Sequence, residues 1–333
     1  MTQIDVYGVG NALVDKEFEV DEAFFTDYGI NKGVMTLVTH DRQDQLLKVL
    51  TDIYGIKKKS AGGSTGNTLY ALSQFGGRTY FTCKVANDET GDFYLEQLDS
   101  HNINTNITCR EEGISGRCLV MISPDAERTM YTYLGISEKL SCEELNFEAA
   151  RQSKYVYFES YLVTSPTAKS AITELKKFAE ENNVKTAMTF SDPAMLKHFK
   201  KDINDILSNG VDLLFCNEME LLLWADTDSI EVGCNLMEEK ARQFVITQGA
   251  DGALLFDGKD YISVESHKVN AIDTNGAGDM FAGAFLYGIT GGLNFEAAGK
   301  LASLASAKVV SQFGPRLDPG QHIQIAKQQL APT

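Results

Sequence analysis

Short β-rich runs alternate with amphipathic stretches through the second half of this 333-residue chain, and no other feature restricts its fold as strongly. Lys154 to Glu159, Thr186 to Phe190, Val211 to Cys216 and Gln243 to Thr247 are each followed by a helical or charged segment. Parallel strands need a crossover that returns the chain to the same end of the sheet, so this alternation implies βαβ units. The expected fold is α/β, a central, mainly parallel sheet flanked by helices. Ile4 to Gly8 reads as one more buried strand of the same sheet.

Two other segments have a different pattern. Val14 to Val38 and Arg117 to Tyr133 alternate apolar and polar residues, are broken by turn residues, and show no strong helical period in their strand-like parts. Being separated by a helical region, they are expected to form a small β-sheet lid inserted from roughly residues 12–40 and 108–135 into a single domain spanning 1–333. About the last dozen residues, ending in Ala331, Pro332 and Thr333, read as a tail.

A hydrophobic content of 43% and a charged content of 23% are globular values. Thirty Lys and Arg against 46 Asp and Glu give a net charge of −16, which opposes nucleic acid and anionic membrane partners. A phosphate-bearing ligand would need local donors such as helix N-termini. Cys83, Cys109, Cys118, Cys142, Cys216 and Cys234 show no C-x-x-C pair and no zinc spacing, so they read as buried thiols of a cytoplasmic protein. The N-terminus enters a strand without a basic region, and no apolar window of about 18 residues follows, so neither export nor a membrane span is expected.

The strongest chemical signal is Asp273-Thr-Asn-Gly-Ala-Gly-Asp279, followed by Met280, Phe281, Ala284, Phe285 and Gly288 at helical spacing. Gly276, Ala277 and Gly278 thus lie at a helix N-terminus, where free N–H groups and the helix dipole favour an anion. Asp279, in the first helical turn, stands where a carboxylate can take a proton from an attacking hydroxyl while those N–H groups meet charge developing on phosphate. The alternative is an Asp that merely complements the dipole. A second glycine turn, Ala61-Gly-Gly-Ser-Thr-Gly-Asn67, opens another helix and would bring backbone N–H groups and the Asn67 amide against a polyol.

Asp-Thr-x-Gly-Ala-Gly-Asp before a Phe-rich helix resembles the C-terminal signature of the ribokinase-like, or PfkB, family of carbohydrate and nucleoside kinases. The likeness extends along nearly the whole chain, through GVGNALVD, AGGSTGNTLYALSQFGG at 61–77, FCNEMEL at 215–221 and ITQGADGALLF at 246–256. Within the family the chain is most similar to the adenosine kinase branch. The resemblance implies an ATP-dependent kinase with Asp279 as catalytic base beside Gly276, Ala277 and Gly278. It implies acceptor binding by Asn11, Asp15, Gly62, Gly63 and Asn67, with Asp15 taking a pair of hydroxyls as a carboxylate accepting two charge-assisted bonds. Arg128 resembles an arginine that reaches phosphate from the lid in nucleoside kinases; the alternative is a solvated surface arginine.

On the nucleotide side the resemblance points to Asn217, Glu220, Thr247, Gly249 and Thr274. Asn217 and Glu220 would act through water on magnesium and the ATP phosphates, in keeping with the waters magnesium retains. The plainer reading of Glu218 and Glu220 is as helix N-terminal acids. Asp192-Pro193-Ala194 departs from the Asp-Pro-Asn of many sugar-binding relatives. Gln312 to Arg316, with Asp273, resembles a region that holds a monovalent cation in many members, which leaves K+ open.

Leu13, Met35, Leu37, Tyr131, Tyr133 and Leu134 in the lid are expected to face the acceptor and to suit a purine, which makes adenosine, at its ribose 5′-hydroxyl, the first choice. A ribokinase- or fructokinase-type sugar kinase is the alternative, and a non-catalytic ligand-binding member of the fold a further one. An exposed lid edge would also allow a homodimer. Competing motifs fail: Gly8-Val-Gly10-Asn-Ala-Leu13 lacks the third glycine of a dinucleotide fingerprint, and no P-loop is present, Gly258-Lys259 being followed by Asp260.

Overall fold

Nine strands form the main sheet in a computed structural model that describes residues 3–107 and 110–330. Cys109, the first two positions of the lid segment 108–135, and the terminal Ala331, Pro332 and Thr333 lie outside the described residues. In spatial order the strands are Tyr261–Val264, Ala253–Phe256, Ala241–Thr247, Val211–Asn217, Lys185–Thr189, Ser153–Glu159, Ile4–Val9, Thr79–Thr82 and Ile103–Asn104. Ala253–Phe256 pairs antiparallel with both of its neighbours and all the other pairings are parallel, and every strand expected of this sheet is in it. Successive residues of a strand face opposite ways, and apolar residues of both parities therefore build two cores. Val6, Tyr157, Leu213 and Val245 face one, packed by helices Ser64–Phe75, Ala277–Thr290 and Phe295–Val309. Tyr7, Phe158, Leu214 and Phe244 face the other, packed by helices that include Pro166–Glu181 and Pro193–Ile206.

The second sheet has five strands in the order Met35–Leu37, Arg128–Tyr133, Gly116–Ile122, Leu13–Glu19 and Lys58–Gly62. Four come from the two expected lid segments. The fifth, Lys58–Gly62, lies outside those bounds, because KKSAG carries no alternation by which to read a strand. Helices Glu22–Asp27 and His40–Ile53 cover the lid's outer face, where Phe24, Phe25, Leu46 and Leu50 pack on Phe18, Leu119, Met121 and Tyr131.

That packing corrects the expectation for two lid tyrosines. Tyr131 belongs to the outer core, and Tyr133 meets the His40 ring edge-on with centroids 5.3 Å apart. Met130, Thr132 and Leu134 face the cavity instead, since one strand cannot turn Tyr131 and Leu134 to the same side. Leu13, Met35 and Leu37 face it as expected.

The expected tail is also corrected, because Gln321–Leu330 is a helix. His322 and Ile325 form its buried stripe at i, i+3 spacing, too short a pattern to read from sequence. Among the described residues, no helix is long and apolar enough to cross a membrane.

His322 is 0% exposed, meets Phe75 and Tyr70 edge-on at 5.0 and 5.7 Å, and has no hydrogen-bond partner at either ring nitrogen. Burial pushes its pKa down to about 4. Above the ordinary histidine value of about 6.5 the ring is neutral whether folded or not; below it only the unfolded chain takes up the proton, so stability is lost as pH falls toward 4. Denaturant titrations at pH 7.5 and pH 4.5 are expected to show a loss at the lower pH that shrinks by roughly 2–3 kcal/mol in His322→Phe.

Candidate active site

A cavity of about 1360 Å³ lies between the lid and the carboxyl ends of the main strands, where open α/β sheets place their ligands. Part of its wall is the turn 274–279. Asp273 is 0% exposed and closes the turn from within: Oδ1 accepts from the Asn275 N–H at 2.8 Å and Oδ2 from the Gly314 N–H at 2.8 Å. Gly276 then caps helix Ala277–Thr290 with φ 76°, a conformation that favours glycine, and an added Cβ would strike Pro315. Gly278 differs, since an added Cβ there would meet no protein atom within 4 Å and would project into the cavity.

Asp279 sits in the first turn of that helix and accepts from Ser64 Oγ at 2.7 Å and Asn67 Nδ2 at 3.1 Å. Burial raises its pKa, while the bonds from Ser64 and Asn67 pull it back. Ser64 and Asn67 reach it because Lys58–Gly62 runs into Gly63, φ 85°, directly ahead of helix Ser64–Phe75. A Cβ at Gly63 would strike the Asn11 carbonyl, and one at Gly62 the Asp15 carboxylate, so both glycines serve close packing. Gly62 itself does not line the cavity; its carbonyl accepts from the Tyr94 hydroxyl at 2.9 Å. Asn11, Asp15, Gly63 and Asn67 do line it. Asp15 is pushed up to about 7 by burial, with Arg316 opposing and Asp279 adding to the rise.

Three residues essential to this arrangement were not singled out from sequence. Ser64 lies inside the glycine turn already identified. Glu159 accepts from the Asn11 N–H at 2.9 Å and Nδ2 at 3.0 Å with one oxygen and from the Thr65 N–H at 2.7 Å with the other, clamping two acceptor-side segments together. Its position at the carboxyl end of a parallel strand was the available signal. Arg316 is buried behind the wall and donates Nε to Asn67 Oδ1 at 2.9 Å, which turns Asn67 Nδ2 toward Asp279. Nothing local in QFGPR distinguishes that role.

On the other side of the cavity, Asn217 and Glu220 form a reciprocal cap: Asn217 Oδ1 accepts from the Glu220 N–H at 2.8 Å and Glu220 Oε2 from the Asn217 N–H at 2.9 Å. The helix-capping reading and a place in the cavity wall therefore both hold. Burial pushes Glu220 up to about 8, with the Asn217 N–H and Arg128 opposing and Asp192 and Asp279 adding to the rise. Asp192 lines the cavity while capping helix Pro193–Ile206 through the Ala194 N–H at 2.7 Å. Thr247 ends its strand beside Gly249, φ 56°, and both line the cavity, as does Thr274, whose Oγ1 donates to the Ala126 carbonyl of the lid at 3.2 Å. Arg128 is no surface arginine. It is half-buried, faces the cavity and donates Nη1 to Asn275 Oδ1 at 3.3 Å.

Among the described residues, no group of three or more His, Cys, Asp or Glu side chains is placed to ligate a metal directly. Glu220, Asp192 and Asp279 nevertheless share one cavity, and the latter two raise the proton affinity of Glu220, a donor set that fits a cation retaining most of its waters.

Residues 56–320 match the sequence family described as pfkB family carbohydrate kinase. The chain belongs to the PfkB family. Among its solved relatives, a probable sugar kinase from Rhizobium etli and an adenosine kinase from Sinorhizobium meliloti are each 31% identical, with a TM-score of 0.93 and coverage of 98% of this chain and 99% of the other. An adenosine kinase of Arabidopsis thaliana is 25% identical, covering 92% of this chain and 94% of that protein. As a PfkB member the chain is a kinase that transfers a phosphoryl group from ATP to a sugar or nucleoside hydroxyl.

The two signature glycines separate fold from ligand contact. Gly276→Ala is expected to lower stability by at least about 1 kcal/mol, from the left-handed backbone and the Pro315 clash. Gly278→Ala, at a helical position with space around it, is expected to hold or raise the thermal midpoint while weakening ATP use several-fold. Thermal denaturation and ATP steady-state kinetics on both variants check the distinction.

Proposed function

We propose that this PfkB kinase phosphorylates the ribose 5′-hydroxyl of adenosine, with Asp279 as the catalytic base. The observation that carries the reading is the placement of Asp279, whose carboxylate heads the anion-binding helix while Ser64 and Asn67 of the acceptor-side turn hold it in place. Asp15 and Asn67 would hold the ribose diol, leaving the 5′-hydroxyl to give its proton to Asp279 as its oxygen attacks the γ-phosphorus. N–H groups of the turn 276–278 and the Arg128 guanidinium would meet charge developing on the transferred group. Asn217 and Glu220, with Asp192, would hold Mg2+ through its waters, and the ion would supply charge neutralisation at the β- and γ-phosphates. Lid closure would exclude water, so that the acceptor and not water is phosphorylated.

Adenosine is favoured by likeness to the Sinorhizobium and Arabidopsis adenosine kinases and by the size of the cavity, which exceeds the roughly 300–1,000 Å³ of single-ligand sites and suits a nucleoside beside ATP. A sugar acceptor is the second reading, favoured by the inner face of the lid. That face is aliphatic, with Leu13, Met35, Leu37 and Leu134 in place of the expected tyrosines. A non-catalytic role is disfavoured, because Asp279 and both of its donors are in position. We place any homodimer on edge strand Met35–Leu37, since the other lid edge opens with Lys58 and Lys59, which oppose strand pairing.

Asp279→Asn is expected to keep acceptor and ATP binding near normal while kcat falls by about 10²–10⁴. A kcat within a few-fold of the parent would show that another group is the base. Because Asp279 is raised and must be ionised to act, the parent's rate should fall on the acid side at a pH above the ordinary Asp range. Across an acceptor panel, kcat/KM is expected to favour adenosine over ribose and fructose by at least about 10², or roughly 2.7 kcal/mol. A free sugar used as well as any nucleoside would move the assignment to the second reading and leave the mechanism unchanged.

A further inference from the structure

Buried polar atoms nearly always have hydrogen-bond partners, and those that do not call for an explanation. Glu17 is 0% exposed, and neither carboxyl oxygen has a partner. It lies on lid strand Leu13–Glu19, on the same face as Leu13 and Asp15, and so is turned toward the main body. Across the seam stands the side-chain amide of Asn275, 4% exposed, whose Nδ2 makes no full hydrogen bond but lies close enough to the Glu17 carboxyl to draw its pKa down. The other end of that amide is already engaged, since Oδ1 accepts from Arg128 Nη1 at 3.3 Å. Arg128 begins a different lid strand, Arg128–Tyr133.

Resting on the kinase reading above, we infer that Asn275 is a positioning residue that couples acceptor binding to the phosphate-binding turn, by pairing with Glu17 and Arg128 of the lid together. A small inward movement of the lid brings Nδ2 onto the Glu17 carboxyl while Oδ1 keeps Arg128, so one amide is gripped from two strands. The strand carrying Glu17 also carries Asp15, two residues away on the acceptor side, so an acceptor held by Asp15 draws Glu17 with it. Asn275 is followed directly by Gly276, which is wedged against Pro315 and caps the helix bearing Asp279. Fixing Asn275 therefore fixes the N–H groups that meet phosphate. The neighbouring bond from Thr274 Oγ1 to the Ala126 carbonyl, at 3.2 Å, links lid and turn at the same seam.

The carboxyl is suited to this part. Burial, with Asp273 and Asp15 nearby, pushes Glu17 up to about 8, so near neutrality it is largely uncharged and closing the seam confines no extra anion beside the ATP phosphates. A neutral isostere should then serve as well as the acid. Coupling of this kind is reciprocal: acceptor and nucleotide each strengthen the other's binding by the same factor.

The test measures affinity of a non-hydrolysable ATP analogue by calorimetry, with and without saturating adenosine, and with ribose in a parallel arm. In the parent the acceptor is expected to tighten the analogue by at least about fivefold. Asn275→Ala and Glu17→Leu are expected to bring that factor to within about twofold of one, while Glu17→Gln retains it. Glu17→Leu removes an unpaired buried carboxyl and is expected to hold or raise the thermal midpoint, so its loss of coupling cannot come from a weakened fold. It also carries the test alone should Asn275→Ala fail to fold. A folded Glu17→Leu with the parent's coupling factor, or a parent whose factor is one in both arms, would overturn the inference. The binding readout needs no turnover, so absence of phosphorylated product with every acceptor would instead count against the functional reading.

Discussion

A carboxylate removed from water has to be met by donors or give up its charge, and the acceptor side of the active site is organised around three that are buried, Asp15, Glu159 and Asp273, and the half-buried Asp279. Each is met differently. Asp273 takes two backbone N–H groups and closes the signature turn, and Glu159 takes three donors and joins the Asn11 loop to the glycine turn. Asp279 takes a hydroxyl and an amide that belong to the acceptor-side helix. Only Asp15 is left with long-range opposition from Arg316 in place of a close partner, which suits a group whose donors would arrive with the acceptor. Satisfied carboxylates build the frame, and the least satisfied one faces the ligand.

Much of this was legible because the chain repeats its signals at several levels. Strands such as Val211–Asn217 are apolar on both faces and sit between helical stretches, so local pattern and global topology agree. Glycines at 63 and 276 could be read as turn residues because their backbones need the left-handed region. What failed to appear depends on pairing with distant residues. Lys58–Gly62 is a strand only because Leu13–Glu19 runs beside it. Tyr131 and Tyr133 are aromatic lid residues in the expected place, yet their parity was set by the helix His40–Ile53 that covers the outer face. Glu17 gave no sign of its burial, since an acid on an alternating strand ordinarily faces water.

The C-terminal segment shows how far the site's support extends beyond its motifs. Gln321–Leu330 docks through His322 against Phe75 and Tyr70, and Tyr70 donates its hydroxyl to the Leu317 carbonyl at 2.8 Å. The Arg316 guanidinium lies 4.7 Å from the Tyr70 ring centre and donates to Asn67, which in turn donates to Asp279. Lys58 reaches the Phe313 carbonyl of the same segment at 2.8 Å from the lid edge, and Pro315 lies against Gly276. Lid, acceptor helix and signature turn thus meet on residues 313–317. In a chain of net charge −16, placing Arg316 and Lys58 beside Asp15 and Asp273 supplies fixed positive charge where acidic groups are densest. Since neither cation reaches the cavity wall, their effect on a ligand must pass through the groups they hold, which makes the segment a brace for the site and not a part of its binding surface.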